Sequence, residues 1–220
     1  MPRRDPARRA SRGSRAGLSD AVRRGADVVV AVLVLTIGLP VLVVVAAAVA
    51  LSLGRPVLYA QERAGRGGRA FRLLKFRSML PVDVSRGLVD DADRLTPFGR
   101  WLRASSLDEL PGLVNVLRGE LGLVGPRPLP VDYLARYSAE QARRHDVHPG
   151  MTGLAQVSGR NELSWEERLR LDVAYVDQRC LAVDLRILLR TVAVVLRRDG
   201  VTRDGHATCP EFLGEVATRA

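Results

Sequence analysis

The sequence predicts an α+β chain that is mainly helical: an apolar helix-break-helix embedded in a membrane, then one domain with a small β-hairpin and amphipathic interface helices. Three observations predict it. Val28 to Leu53 is a 26-residue apolar run without a charge, Gly65-Arg66-Gly67-Gly68 separates two short β-prone stretches, and helical spacing recurs beyond residue 96. A chain of 220 residues can bury one apolar core beside such an anchor, but it is short for two independent domains.

The first element is a basic arm over residues 1–24. Eight arginines against Asp5 and Asp20 give it +6 of the chain's +10, and with no apolar periodicity it reads as flexible and suited to a polyanion such as a membrane surface. The apolar element follows over residues 25–54, interrupted only by Thr36, Gly38, Pro40 and Ser52 within Val28 to Leu53. As an unbroken helix the apolar run would be roughly 39 Å long, enough to cross a hydrocarbon core of about 30 Å. Pro40 breaks it near the middle, and each half reaches only about 18 to 20 Å, one leaflet's depth. Arg23 and Arg24 before it and Arg55, Arg63, Arg66 and Arg69 after it place positive charge at both ends, which favours a cytoplasmic side for both. A spanning helix and a re-entrant one both fit. Ala48-Val49-Ala50 resembles a cleavage site, but the run is too long and the arm too extended for a signal peptide.

Residues 55–214 form the remaining domain, with 215–220 as a tail. Val57 to Ala60 and Ala70 to Leu74 read as the strands of a hairpin, with the glycines as its turn. Pro81 to Asp93 is an acidic loop, and helix resumes near Thr96 to Leu102 and again at Ser105 or Ser106. Leu121 to Pro130 has too many Gly and Pro breaks for a helix, while Val131 to His145 and Trp165 to Gln178 recover helical spacing. Asp184 to Arg198 is an amphipathic basic helix with Leu185, Leu188, Leu189, Val192, Val195 and Leu196 as its apolar face, for the core or for a membrane interface.

Cys180 and Cys209 are too few and too far apart for a disulfide framework, and His145, His148 and His206 have no zinc-site spacing. The candidate chemistry lies in Ser105-Ser106-Leu107-Asp108-Glu109-Leu110-Pro111. Ser106 followed by Glu109 has the form of a capping box, a structural role. Asp108 in a helix's first turn is equally suited to be an ionised nucleophile, and adjacent acids can share Mg²⁺. Arg103 and Arg127 are nearby phosphate clamps, the latter fixed between two prolines, and Lys75 is the chain's single lysine.

Together with Gln61-Glu62-Arg63, Lys75-Phe76-Arg77-Ser78-Met79, Asn115-Val116-Leu117-Arg118-Gly119-Glu120, Val124-Gly125-Pro126-Arg127-Pro128, the run from Pro149 to Asn161 and Leu171 to Val176, this motif resembles the small monotopic polyprenyl-phosphate phosphoglycosyl transferases of bacteria. The resemblance runs in order from about Arg23 to Gly214. It implies a re-entrant helix broken at Pro40 in the inner (cytoplasmic) membrane, a cytoplasmic catalytic domain, and Mg²⁺ as cofactor. It further implies transfer of a sugar 1-phosphate from a UDP-sugar to undecaprenyl phosphate with release of UMP, a membrane step of exopolysaccharide or glycoconjugate synthesis. On this resemblance Asp108 is the nucleophile that carries the phosphosugar, Glu109 assists with metal or proton handling, Arg103 binds phosphate, and Lys75, Arg127 and Asp172 line the site. Gly205 to Thr208 and Glu211-Phe212 look like members that transfer N,N′-diacetylbacillosamine phosphate. The chain departs from the pattern at Leu39, where Ser often precedes the proline, and at His148, where Arg is usual. Inner-leaflet lipids are implied partners, and a homodimer is left open. A non-catalytic membrane-tethered scaffold is a second reading. A basic nucleic-acid-binding protein is a third, for which the sequence offers neither a helix-turn-helix nor an aromatic stacking platform.

Overall fold

The computed structural model describes residues 6–159, 162–197 and 211–214, with side chains from Ser19 onward. Two helices, α1 (Pro6–Ile37) and α2 (Leu39–Leu53), meet at Gly38. Pro40 cannot offer the N–H that would continue the α1 ladder, and the apolar parts of the two helices bend by 65°. The helical ladder runs up to the break, where the Gly38 amide donates to the Val34 carbonyl at 2.8 Å, and resumes beyond it, where the Leu42 amide donates to the Gly38 carbonyl at 2.9 Å. The Thr36 hydroxyl donates one turn back, to the Val32 carbonyl at 2.7 Å. Among the described residues no single helix is long and apolar enough to cross a membrane; the two halves of the bent pair together match a broken span or a re-entrant loop in length and composition.

Residues 6–24 form the opening turns of α1. Ala and Arg are strong helix formers, and the end of this stretch is tied down. Arg23 Nε donates to Asp184 at 2.6 Å, and Arg24 donates to the carbonyls of Val116 and Leu117. Further along, Ala31 enters a cluster with Phe71, Leu113, Val116 and Leu123. Helix α2 buries Val45, Val49 and Leu53, spaced one turn apart, against Phe76 and Leu102.

The hairpin forms as the sequence predicts. Strand β1 (Leu58–Ala64) pairs antiparallel with β2 (Ala70–Phe76) from Leu58↔Phe76 to Ala64↔Ala70. Gly67 and Gly68 take φ of 62° and 74° in the turn, a region that glycine enters at no steric cost. After the acidic loop, α3 (Asp91–Arg94) leads into α4 (Pro97–Ala104), whose N-cap is the Thr96 side chain, accepting from the Gly99 amide. A 3₁₀ segment, Leu107–Gly112, runs directly into α5 (Leu113–Arg118). The Gly- and Pro-rich stretch then contains β3 (Gly122–Val124), which pairs in parallel with β4 (Gly150–Thr152). Helix α6 (Ala139–Ala142) lies between them, and α7 (Leu154–Ser158), α8 (Trp165–Gln178) and α9 (Leu181–Arg197) follow.

Two expectations change. The helix expected over Val131 to His145 is broken into a 3₁₀ segment at Val131–Arg136, α6, and a 3₁₀ turn at Arg143–His145. The break is local: Tyr137 is extended, and Ser138 starts a new helix through a capping box with Gln141. On α9 the buried face is Asp184 and Ile187, with Leu188 half-buried, whereas Leu185, Leu189, Val192 and Leu196 are exposed. The apolar stripe read from the sequence therefore faces mainly outward.

Gly99 sets how closely α4 approaches the loop after β2, since a Cβ there would lie 1.9 Å from the Ser78 carbonyl oxygen. Gly99→Ala is expected to destabilise the fold by roughly 1–3 kcal/mol or more, whereas Gly25→Ala, in open space within α1, should be neutral or stabilise by up to about 1 kcal/mol. Thermal unfolding of the two variants checks this, and equal melting temperatures would count against the tight contact.

Candidate active site

The 3₁₀ segment carries Asp108 and Glu109 in its first turn, with Leu107 packed beside the α2 cluster and Leu110 beside the α1 cluster. The capping box expected at Ser106 does not form. Ser106 is the one non-glycine residue of positive φ among the described residues (φ 57°, ψ 13°) and its side chain accepts no cap hydrogen bond. An N-cap needs extended backbone, and Glu109 is turned elsewhere. Its Oε1 accepts from Lys75 Nζ at 2.9 Å and from Arg127 Nη2 at 2.8 Å.

The two neighbouring acids are driven in opposite directions. Burial leaves Asp108 only 7% exposed, and burial together with the Glu109 charge pushes its carboxyl up to about 6, against the pull of Lys75, Arg103 and Arg127. Burial also opposes charge on Glu109, but there the Arg127 and Lys75 charges and hydrogen bonds outweigh it and hold the carboxylate well below its usual range. At neutral pH both are ionised, Glu109 firmly and Asp108 with a proton affinity close to working pH. The helix-end field expected to keep Asp108 strongly acidic is outweighed by desolvation.

Of the residues singled out in the sequence, Lys75, Glu109 and Arg127 line one cleft, with Arg63, Gly112, Gly150 and Met151 beside them. Arg103 approaches from the α4 side, its Nε donating to Ser78 Oγ at 2.9 Å, and its charge acts on Asp108. Asp108 is not among the residues that line this cleft, and neither is Asp172. Asp172 is 1% exposed on α8 and paired with the equally buried Arg144, which donates to it from Nε at 3.1 Å and Nη2 at 2.7 Å. Arg144 Nη2 also donates to the Arg127 carbonyl at 2.6 Å. Asp172 thus acts on the site at one remove, by holding the residue that holds Arg127. Gly205 to Thr208 and Asn161 lie outside the described residues.

Sequence reasoning missed Asn115 and Arg144. Asn115 is fully buried on α5: its Oδ1 accepts from the Leu74 amide, while Nδ2 donates to the Arg72 carbonyl and Glu120. These bonds clamp β2 against the segment that carries Asp108, which sets Lys75 opposite Glu109. A polar residue within the apolar spacing of a short helix was the available signal.

Among the described residues no group of three or more His, Cys, Asp or Glu could hold a metal ion. That does not disqualify Mg²⁺, which commonly takes one or two carboxylates with substrate phosphates and water completing its shell. Glu109 Oε1 is taken by Lys75 and Arg127, so the Asp108 carboxylate and the other Glu109 oxygen are the atoms such an ion would use.

A nearly buried carboxylate, with an ionised partner and several cations around it, defines the class: an enzyme site for anionic groups. Residues 18–198 match the bacterial sugar transferase family, and the chain belongs to it. It is 50% identical over 165 residues to EpsL of Bacillus subtilis (strain 168), an uncharacterized sugar transferase, covering 74% of this chain and 82% of that protein. It is 42% identical over 193 residues to the UDP-glucose:undecaprenyl-phosphate glucose-1-phosphate transferase of Caulobacter vibrioides, covering 82% and 72% respectively. Against the undecaprenyl-phosphate galactose phosphotransferase of Salmonella typhimurium, identity is 39% over 197 residues, with 81% and 41% covered. The chain spans about two fifths of the length of that last relative.

The electrostatics make Asp108 a stability liability with a defined sign. Its folded pKa of about 6 lies above the ordinary 3.8, so its contribution favours folding below the unfolded pKa and is lost as pH rises through about 6. Asp108→Asn is expected to be more stable than the native protein at pH 8, by on the order of 1–3 kcal/mol, and to lose that advantage at pH 4. Denaturant titrations at the two pH values check this. An asparagine variant less stable at pH 8 would refute the desolvated-carboxylate assignment.

Proposed function

We propose that the chain transfers a sugar 1-phosphate from a UDP-sugar to undecaprenyl phosphate, through a covalent phosphosugar on Asp108, as a membrane step of exopolysaccharide or glycoconjugate assembly. The observation that carries this reading is the division of labour in Asp108-Glu109: a desolvated carboxylate of raised proton affinity beside one locked by Lys75 and Arg127. Membership of the bacterial sugar transferase family and the names of the Caulobacter and Salmonella relatives support the substrate classes.

In the first half-reaction an Asp108 carboxylate oxygen forms a bond to the β-phosphorus. The bond to the bridging oxygen breaks, and UMP leaves with the electron pair. In the second half, a phosphate oxygen of the lipid attacks the same phosphorus, the acyl-phosphate bond breaks, and Asp108 returns as a carboxylate. Raised basicity makes Asp108 a better nucleophile than an ordinary surface carboxylate while it stays mostly ionised at neutral pH. Lys75, Arg103 and Arg127 stabilise charge that builds on the phosphoryl oxygens. Glu109, held ionised, suits cation placement and metal binding rather than proton donation. Mg²⁺, bound by Asp108 and Glu109 together with substrate phosphate, would neutralise charge on the diphosphate and on departing UMP.

The bent pair α1 and α2 supports a re-entrant seat in the inner membrane with the catalytic domain on the cytoplasmic side. Exposed Val29, Leu33, Ile37, Val43, Val44 and Leu51 would meet the acyl chains, and the outward stripe of α9 would rest in the interface.

UMP release from UDP-glucose, UDP-galactose and other UDP-sugars, with Mg²⁺ and undecaprenyl phosphate, tests the reaction. Asp108→Asn should reduce it by at least about 10³-fold and abolish a phosphosugar adduct detectable by mass spectrometry. The rate should fall as pH drops through about 6, where Asp108 takes its proton. Full activity in Asp108→Asn would overturn the nucleophile. For topology, single cysteines at residues 10 and 60 in a cysteine-free background should both react with reagent from the cytoplasmic side, and opposite sides would rule out the re-entrant seat.

A further inference from the structure

The cleft holds a third cation that the chemistry above does not use. Arg63 lies on β1 and lines the same cleft as Lys75, Glu109 and Arg127. One acid, Glu109, is shared by the lysine and by Arg127, and among the described residues no carboxylate pairs with Arg63. Its Nη2 donates to the neutral amide oxygen of Gln61 at 2.5 Å, and its Nε is buried without a hydrogen-bond partner. Glu62 is next in sequence, but strand alternation sends it to the opposite, exposed face. A partly buried guanidinium whose one nearby carboxylate, Glu109, is already hydrogen-bonded to Lys75 and Arg127 is incompletely compensated, and a second guanidinium nearby adds to the cost. Burial and the Arg127 charge act against protonation of Arg63, with the Glu109 charge only partly offsetting them. Such an arrangement favours an anion beside the guanidinium.

We propose that Arg63 is a phosphate-binding residue of this site, its guanidinium taking non-bridging oxygens of a substrate phosphate that enters the cleft beside Lys75 and Arg127. The assignment deepens the transferase reading and rests on it for the identity of the phosphate. The donor's diphosphate and the lipid's phosphate monoester share the chemistry. Bidentate contact with phosphate oxygens is what a guanidinium offers and an ammonium does not.

The test uses the full chain in detergent or nanodiscs, with pyrophosphate as probe. Arg63→Met keeps the apolar stem and removes the charge, and Arg63→Gln removes the charge with a polar end. Arg72→Gln, at an exposed position of β2, controls for net charge. Both Arg63 variants should bind pyrophosphate at least about tenfold more weakly by calorimetry than the native protein and Arg72→Gln. Arg63→Met should also melt at the same or a higher temperature, because an incompletely compensated charge has gone. Stability kept while binding falls marks a ligand role, which a structural arginine would not show. Pyrophosphate affinity equal to that of Arg72→Gln in either folded variant overturns the proposal, as does Arg63→Met melting well below native. In turnover assays, a raised KM for the UDP-sugar alone assigns Arg63 to the donor, and a raised KM for undecaprenyl phosphate alone assigns it to the acceptor. A native protein that binds pyrophosphate yet releases no UMP would sink the transferase reading and leave the subsite standing.

Discussion

Glu109 accepts hydrogen bonds from Lys75 on β2 and from Arg127 in the loop after β3, and the rest of the site depends on that junction. It draws a hairpin strand and a Pro-bounded loop onto one short 3₁₀ segment. It also separates the chemistry of two adjacent acids. In a 3₁₀ helix successive side chains diverge by roughly 120°, so Glu109 meets Lys75 and Arg127 while Asp108, on a different side of the segment, is only 7% exposed. Two carboxyl groups on neighbouring residues thereby acquire opposite proton affinities.

The junction works only if its two cations are held in place, and each has a buried polar support. Asn115 fixes β2 through the Arg72 carbonyl and the Leu74 amide, the two peptide groups on either side of Leu73, two residues before Lys75. Arg144 fixes the Arg127 carbonyl and is itself fixed by Asp172 and the Tyr137 hydroxyl. A fully buried ion pair is rarely the most stable way to fill space. Its placement directly behind Arg127 is better explained by geometry than by stability. Asp172 therefore matters to the site although it never reaches the cleft.

Much of this was legible in the sequence where the signal is local. Two β-prone runs around Gly65 to Gly68 define the hairpin, helical spacing over Trp165 to Gln178 defines α8, and Gly38 with Pro40 defines the bend. The Asp108-Glu109 pair and the grouping of Lys75 and Arg127 with it also followed from residue type and motif. What failed was non-local or conformational. Strands β3 and β4 are three residues each and pair across more than twenty intervening residues, a contact no periodicity reports. Ser106 has a capping residue's side chain but a left-handed backbone. Asp172 was assigned to the cleft because its motif shares the chain with the site, whereas its partner, Arg144, comes from an unremarked arginine between α6 and β4. On α9 the sequence shows one broad apolar face, and only tertiary packing decides that Ile187 turns inward and Leu185 outward.

The bend at Gly38 has a consequence beyond membrane depth. Val45, Val49 and Leu53 of α2 share one cluster with Phe76, the residue after Lys75, and with Leu102, the residue before Arg103; Leu107, the residue before Asp108, packs against it. A straight continuation of α1 would carry α2 away from all three. The same break therefore folds α2 back onto the backbone of the cation and carboxylate groups. On the proposed reading, the nucleophile's distance from the lipid surface is not set by a flexible tether but by direct packing of the anchor beneath it. A lipid phosphate at the headgroup level would then meet Asp108 at a fixed height, with no domain motion needed to bring acceptor and phosphosugar together.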